Sequence, residues 1–247
     1  MRLRSINRTG LMLGLVILLM AFSAPESNLV PTEEPSFVQE ESTCSIENTS
    51  FQAGEEIVYK IYYNWNFIWL SAGEVAFKVK DLGDQYHLSA IGRTYKSYEW
   101  FYKIRDYYDT YVDKETLLPN LSIRDINEGK YRLYDKITFD QGSQKAVSLR
   151  GKTKDKAEET AYEIDPCMHD LLSIFYYTRN LDFNTKEKGS IIPIKIFIDK
   201  ETWPLQMEFR GKDGYKKIKG LGRFKTIQFG PEVIEGYYFK KDTKMDI

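Results

Sequence analysis

The feature of this sequence that most constrains its fold is a recurrent period-two alternation of apolar and polar residues. Apolar side chains stand at every second position from Ile57 to Trp65, and Glu56, Lys60 and Asn64 fall on the opposite face. That period matches a β-strand with one face buried and one face in water. The alternation recurs over residues 75–79, 86–90, 104–112, 119–126, 131–139 and 192–198.

Short turn signals such as Gly129-Lys130 and Gln141-Gly142 separate the segments, so neighbouring strands are predicted to pair as a meander. Residues 144–163 add one or two short strands around a lysine-rich turn. Residues 211–214 are interpreted as the turn of a further hairpin. The predicted fold class is mainly β: a curved antiparallel sheet or partly open barrel of about ten to twelve strands with one packed helix.

One helix is predicted from about Pro166 to Asn180. Asp165 is placed to cap its first turn, where proline is tolerated. Apolar residues at spacings of three and four form the stripe that should pack against the sheet, namely Leu171, Leu172, Phe175 and Tyr176.

The N-terminus has the pattern of a secretory signal peptide. Arg2, Arg4 and Arg8 precede an uncharged run, and small residues flank a cleavage position after Ser23. Residues 1–23 are therefore predicted to be a signal peptide, 24–50 a flexible leader and 51–247 a single antiparallel β domain. An uncleaved anchor helix is the alternative. We expect an exported, soluble protein of the periplasm or cell exterior, with no integral membrane span after signal cleavage.

The composition of the chain limits the kinds of partner and cofactor that it is expected to bind. The 35 Lys and Arg residues nearly balance 36 Asp and Glu residues, and they are interleaved along the chain, which argues against a nucleic-acid partner. Two histidines and two cysteines are too few to build a metal site of recognised spacing. We expect no metal and no cofactor.

Four segments together resemble one bacterial family, the domain of unknown function 3108 (DUF3108). They are Gly54–Lys60, Ser71–Val75, Asp170–Arg179 and Gly222–Thr226. The resemblance implies an exported, periplasmic protein built on an antiparallel sheet, and it brings no catalytic residue with it. Members continue into a further hairpin where this chain stops at Ile247, so the resemblance also leads us to expect a C-terminally truncated product.

The two cysteines leave two alternatives open. An exported chain lives where disulfides persist, so Cys44 and Cys167 form a bridge or remain two unpaired thiols, with Cys167 a small buried apolar residue.

The polar residues around the helix suggest nucleophilic catalysis only weakly. Cys167, His169 and Asp170 lie within four residues, but neighbours this close point to different sides of a helix. Ser173 lacks the glycine-flanked elbow of a hydrolase. Asp170 and Arg179 suit the two ends of a helix dipole. No catalytic residue is predicted.

The aromatic surplus, with 18 Tyr and 14 Phe, is the best functional hint. A curved sheet can line an apolar cavity with such side chains, although a well-filled core would use them equally. The predicted ligand-binding residues are Trp65, Phe67, Trp69, Trp100, Phe101, Tyr107 and Tyr111.

We therefore expect an uncharacterised exported protein, more consistent with binding than with catalysis, whose curved sheet takes an apolar or lipid-like small molecule or an exported envelope protein. The alternative is an envelope scaffold or interaction protein with no small-molecule site. A glycan-acting hydrolase comes third and requires two carboxylates within a cleft.

Overall fold

The computed structural model describes residues 44–65, 68–218 and 220–231. The predicted signal peptide and most of the predicted leader lie outside the described residues, as does the C-terminal segment 232–247.

The larger of two sheets is an uninterrupted antiparallel meander in which each strand pairs with the next strand along the chain. The prediction of a meander is confirmed. The two outermost strands do not pair with each other among the described residues, so this sheet is open rather than closed. Its strands are β1 Glu56–Trp65, β2 Ile68–Asp81, β3 Gln85–Thr94, β4 Arg105–Asp113, β5 Pro119–Glu128, β6 Tyr131–Asp140, β7 Lys145–Gly151 and β8 Glu158–Glu163.

The smaller sheet contains β9 Ile191–Ile198, β10 Glu201–Ile218 and β11 Gly222–Pro231, in the order β11–β10–β9. Pro193 therefore lies in an edge strand, as its missing N–H predicts. The predicted hairpin turn at 211–214 is wrong. β10 runs through it as one strand, and its pairing with β11 shifts register around Gly211 and Gly214. Both glycines have positive φ, so they form bulges rather than a turn.

The described chain is organised as two compact units. The first contains residues 46–181 and 195–204, and hence the whole meander. The second contains residues 182–194 and 205–231, together with residues 44 and 45. In the second unit the Phe183 ring packs against the rings of Phe209 and Phe229.

The helix α1 spans Leu171–Thr178 and is shorter than predicted. Its N-cap is Asp170 rather than Asp165: the Asp170 carboxylate accepts the Ser173 N–H at 2.8 Å, and the Ser173 hydroxyl accepts the Asp170 N–H at 3.0 Å. This reciprocal pair is a capping box, with Ser in place of the usual acidic residue or glutamine. Sequence position alone favoured the earlier aspartate because a proline follows it.

The core of the first unit lies between α1 and the central strands. Leu172 and Tyr176 are buried there, whereas Leu171 and Phe175, which were predicted to share their face, are half-buried. Ile174 is also buried. The residues of this cluster are Phe51, Val79, Leu88, Ala90, Val112, Leu117, Leu172 and Tyr176.

The C-terminal end of α1 is tied to the segment before β1. The Arg179 guanidinium donates to both carboxylate oxygens of Glu55, at 2.7 and 2.9 Å, and lies over the rings of Phe51 and Tyr176. A specific ion pair therefore positions Arg179, in addition to the helix dipole that the sequence suggested.

Candidate functional site

The predicted aromatic ligand site centred on Trp65, Phe67 and Trp69 lies largely outside the part of the chain that the structure describes. Phe67 falls outside the described residues, as do the side chains of the two tryptophans. The backbone nevertheless corrects one premise. β1 ends at Trp65 and β2 begins at Ile68, so these aromatics do not follow one another along a single regular strand.

Trp100 and Phe101 stand on a turn between β3 and β4, after a short 3₁₀ segment at Lys96–Tyr98. Their side chains are 82% and 62% exposed and their rings contact each other edge to face. Side chains this exposed face solvent and do not line an enclosed cavity.

Tyr107 and Tyr111 alternate along β4 with the buried residues Asp106 and Thr110, so they belong to the other face of the sheet. Tyr107 is exposed, and the Tyr111 ring stacks on the His87 imidazole with 4.6 Å between centroids. Their role in ligand binding stays a prediction.

The nucleophilic side chains that the sequence offers near α1 are bonded or buried. Cys44 and Cys167, the only cysteines of the sequence, are disulfide-bonded. Ser173 is fully buried, with its hydroxyl 3.1 Å from Nδ1 of His169. Burial lowers the pKa of His169 to about 4, so its ring is neutral at ordinary pH. These contacts fix the start of the helix and provide no catalytic geometry.

Asp170 also ties α1 to the sheet. Its second carboxylate oxygen accepts the Thr110 hydroxyl at 2.6 Å and the Ser122 hydroxyl at 2.8 Å, and all three side chains are buried. Because these hydroxyls come from β4 and β5, the carboxylate links three elements at one point.

The inner face of β5, β6 and β7 carries a buried ionic cluster. Asp135, only 1% exposed, accepts from Arg124 at 2.7 Å, from Arg150 at 2.7 Å and from the Ser148 hydroxyl at 2.9 Å. Asp199 reaches the same two arginines at 2.9 and 2.7 Å. Two carboxylates thus share two guanidinium groups, which keeps the buried charges paired.

The position of Asp199 depends on the two-residue turn between β9 and β10. Asp199 and Lys200 both have positive φ, which is the geometry of a type I′ hairpin turn. Burial opposes the charge on Asp199, but Arg124 and Arg150 outweigh it and hold its pKa below the ordinary value. Lys200 follows at once and points to the adjacent cleft, of which it is a lining residue.

That cleft, of about 650 Å³, opens where β6 begins and β7 ends. Six of its lining residues are cationic and none is acidic. Gly151 shapes its rim, because a Cβ there would lie 2.4 Å from the Lys156 carbonyl oxygen in the 3₁₀ turn Lys154–Lys156. We call it the basic cleft; its lining residues are Lys130, Tyr131, Arg132, Leu133, Arg150, Gly151, Lys152, Thr153, Lys156 and Lys200.

A second, smaller pocket of about 180 Å³ shares Arg132 with the basic cleft and also has Lys103 and Arg105 in its lining. The Arg105 guanidinium is already engaged with Glu99 and with the Thr94 and Ile104 carbonyls.

Two buried carboxyls, Asp106 on β4 and Glu128 at the end of β5, are paired with each other. Burial, reinforced by the charge of Asp106 and by the hydrogen bond that Glu128 donates to it, raises the pKa of Glu128 to about 8. Burial also raises the pKa of Asp106. Asp106 is 5% exposed and Glu128 is 3% exposed. This pair therefore does not face a cleft, as the two carboxyls of a glycan hydrolase must.

From the sequence, the lysine-rich stretch after β7 is interpreted only as a solvated turn, and its part in a cleft is missed. This stretch lies close to Lys130 and Arg132 because of the β6–β7 register, in which Tyr134 pairs with Gly151. The number of charged residues in the sequence does not reveal that register. Lys200 comes from an element some fifty residues further on. Within the described ranges, no group of three or more His, Cys, Asp or Glu side chains is arranged to hold a metal ion.

The fold and this site define a class of protein: an antiparallel meander with a capped helix, a buried ionic cluster and a basic cleft that shares Arg150 with that cluster. The chain belongs to the family described as "Protein of unknown function (DUF3108)", whose model matches residues 58–247. The resemblance seen in the sequence is thereby confirmed. No curated protein and no solved structure matches the chain. In the part of the chain that the structure describes, no helix is both long and apolar enough to cross a membrane.

Proposed function

We propose that this protein is an exported, non-catalytic binding protein that holds an anionic group of its ligand in the basic cleft. The observation that carries the proposal is the lining of the cleft, in which six cationic side chains converge without a carboxylate among them. Lysine and arginine side chains arranged in this way attract phosphate, sulfate or carboxylate groups.

The ionic cluster beneath the cleft supports a binding role. Arg150 is held by Asp135 and Asp199 from below, so its guanidinium is fixed before a ligand arrives. Lys152, Lys156 and Lys200 are exposed, and no carboxylate is among the residues that line the cleft. A rigid base with unneutralised lysines at the rim is suited to an anion that arrives from solvent.

Export is part of the proposal. The arginine-rich start, the short apolar run and the small residues before Ala24 support it. The Cys44–Cys167 disulfide is compatible with an oxidising compartment. The prediction from the sequence that Trp65, Phe67 and Trp69 contact an apolar portion of the ligand stays a prediction.

Calorimetric titration of the full chain with inositol hexakisphosphate, a soluble and densely charged probe, tests the proposal. We expect binding that weakens as salt is added, and no binding of uncharged inositol. The double variant Lys152→Gln/Lys156→Gln should weaken binding about tenfold or more, since each removes one cation from the cleft.

The matched control is Lys60→Gln/Lys80→Gln, which removes two exposed lysines from β1 and β2, four or more strands away in the sheet. Its affinity should equal that of the unaltered protein. Absence of binding, or an equal loss in both double variants, would show that the basic cleft is not the site.

A further inference from the structure

Trp100 and Phe101 form an apolar projection that the fold itself does not use. They are adjacent in sequence, both largely exposed, and in contact with each other. Single exposed apolar residues are common on protein surfaces, but a paired tryptophan and phenylalanine at the apex of a turn is a concentrated apolar surface. We call these two residues the aromatic tip.

The base of the aromatic tip is fixed. The Phe101 N–H donates to the Tyr98 carbonyl at 3.0 Å, and the Gly129 N–H donates to the Lys103 carbonyl at 2.8 Å. The Tyr102 ring packs so closely on Gly129 that a Cβ there would lie 2.9 Å from it. The turn between β5 and β6 therefore holds the tip in place.

The same β5–β6 turn forms one side of the basic cleft. Lys130 directly follows Gly129 and lines the cleft, and Arg132 lines both the cleft and the smaller pocket beside Lys103. The aromatic tip and the basic cleft thus lie at the same end of the strands of the meander, with cationic residues between them.

Two carboxyls close to the tip, Glu99 and Glu128, present no unpaired negative charge. Glu99 is paired with Arg105. Glu128 is buried, and its raised pKa keeps it mostly protonated at neutral pH. The smaller pocket between the tip and the cleft is lined by three cationic residues and no acidic one, although the whole chain has a formal net charge of −1.

We infer that the aromatic tip and the basic cleft together dock the protein on an anionic lipid bilayer, with the tip in the interfacial layer and the cleft over the headgroups. Tryptophan is favoured at the membrane–water interface, and lysine and arginine are drawn to anionic headgroups. Each feature alone suits several partners, but their combination at one end of the sheet matches a surface that is apolar just beneath a layer of negative charge. The inference rests on the proposed anionic ligand and assigns it to lipid.

Cosedimentation of the full chain with lipid vesicles tests the inference. We expect binding to phosphatidylcholine vesicles that contain about one-third phosphatidylglycerol, and weaker binding to pure phosphatidylcholine. The apolar segment 11–24 is common to all variants, so a difference in vesicle binding between variants does not come from that segment. Trp100→Ser and Phe101→Ser should each weaken vesicle binding about tenfold, because each removes apolar area that the bilayer would cover.

Two further variants sharpen the test. Leu82→Ser removes an exposed apolar side chain from the β2–β3 turn, and it should bind vesicles as the unaltered protein does. Trp100→Phe keeps an apolar tip, so it should still sediment. It should also lack the blue shift in tryptophan emission that we expect for the unaltered protein with anionic vesicles, since that shift reports Trp100 leaving water.

The outcomes separate this inference from the proposed function. Binding of inositol hexakisphosphate without any binding to anionic vesicles would overturn the lipid assignment and leave an anion-binding cleft for a soluble or protein partner. Vesicle binding that is unchanged by Trp100→Ser and Phe101→Ser would overturn the role of the tip. Loss of both kinds of binding would overturn the proposed function itself.

Discussion

The protonated carboxyl of Glu128 makes the stability of this protein depend on pH in a defined direction. The folded-state pKa is about 8, against an ordinary value of 4.5 in the unfolded chain. Between those values the folded state binds a proton that the unfolded state releases, so the free energy of unfolding falls as pH rises through this window. The contribution is fully present below pH 4.5 and is lost above pH 8.

The size of the effect follows from the same two values. A shift of this extent corresponds to at most about 5 kcal/mol. Asp106 shares the proton and its surroundings relax as Glu128 ionises, so we expect roughly half of that, about 2 to 3 kcal/mol. The residue is 3% exposed and Oε1 has no hydrogen-bond partner among the described residues, so water offers the ionised form little relief.

Glu128→Gln is the informative variant, because glutamine keeps the shape and can donate to Asp106 without titrating. Urea denaturation at a series of pH values should show the unaltered protein losing stability toward pH 8 and the variant losing less. His169, whose pKa is lowered by burial to about 4, destabilises both proteins alike as pH falls, so the difference between them cancels its effect. Glu159→Gln, an exposed carboxyl on β8, is the control and should follow the unaltered protein. Equal losses in the unaltered protein and Glu128→Gln would refute a buried, protonated Glu128.

Three further substitutions probe the ionic cluster, the helix cap and the cleft rim. Asp135→Asn should lower the free energy of unfolding by about 3 kcal/mol in urea denaturation, because it leaves the buried Arg124 and the half-buried Arg150 with only Asp199 as their carboxylate partner. Asp170→Ala should cost about 3 kcal/mol in the same assay, combining a lost N-cap with two buried hydroxyls left without their acceptor. Gly151→Val should move the 3₁₀ turn at the rim, so that calorimetry shows weaker binding of inositol hexakisphosphate while the far-ultraviolet dichroism is retained. Undiminished stability in the first two cases, or unchanged affinity in the third, would contradict these roles.

Much of the fold is predictable because strand formation leaves a local signal. Side chains that alternate between core and water produce the period-two pattern of β1. Short polar turns indicate that the next strand runs back antiparallel beside the previous one. The helix is recognised from its apolar spacing, but its start is misplaced by five residues, from Asp165 to Asp170. That error is instructive because the true cap is selected by Thr110 and Ser122, which lie on distant strands.

The glycines at 211 and 214 show a second limit. A glycine-rich stretch between two apolar segments has the same local appearance whether it reverses the chain or bulges within a strand. The neighbouring strand decides between them, and here β11 pairs on both sides of the glycines. The basic cleft is hidden for the same reason: its lysines and arginines come from three separate stretches, and only strand register brings them together.

The meander has a consequence for how the chain reaches its structure. Each strand from β2 to β8 pairs with the strand made just before it, so no strand of this sheet waits for a partner that is far away in sequence. Contacts between near neighbours cost little loop-closure entropy and form quickly. As the chain is synthesised from its N-terminus, each new strand emerges beside the edge of the strand made just before it, and that edge is ready to receive it. Cys167 comes only after β8, so the covalent link to Cys44 can close once all eight strands are in place.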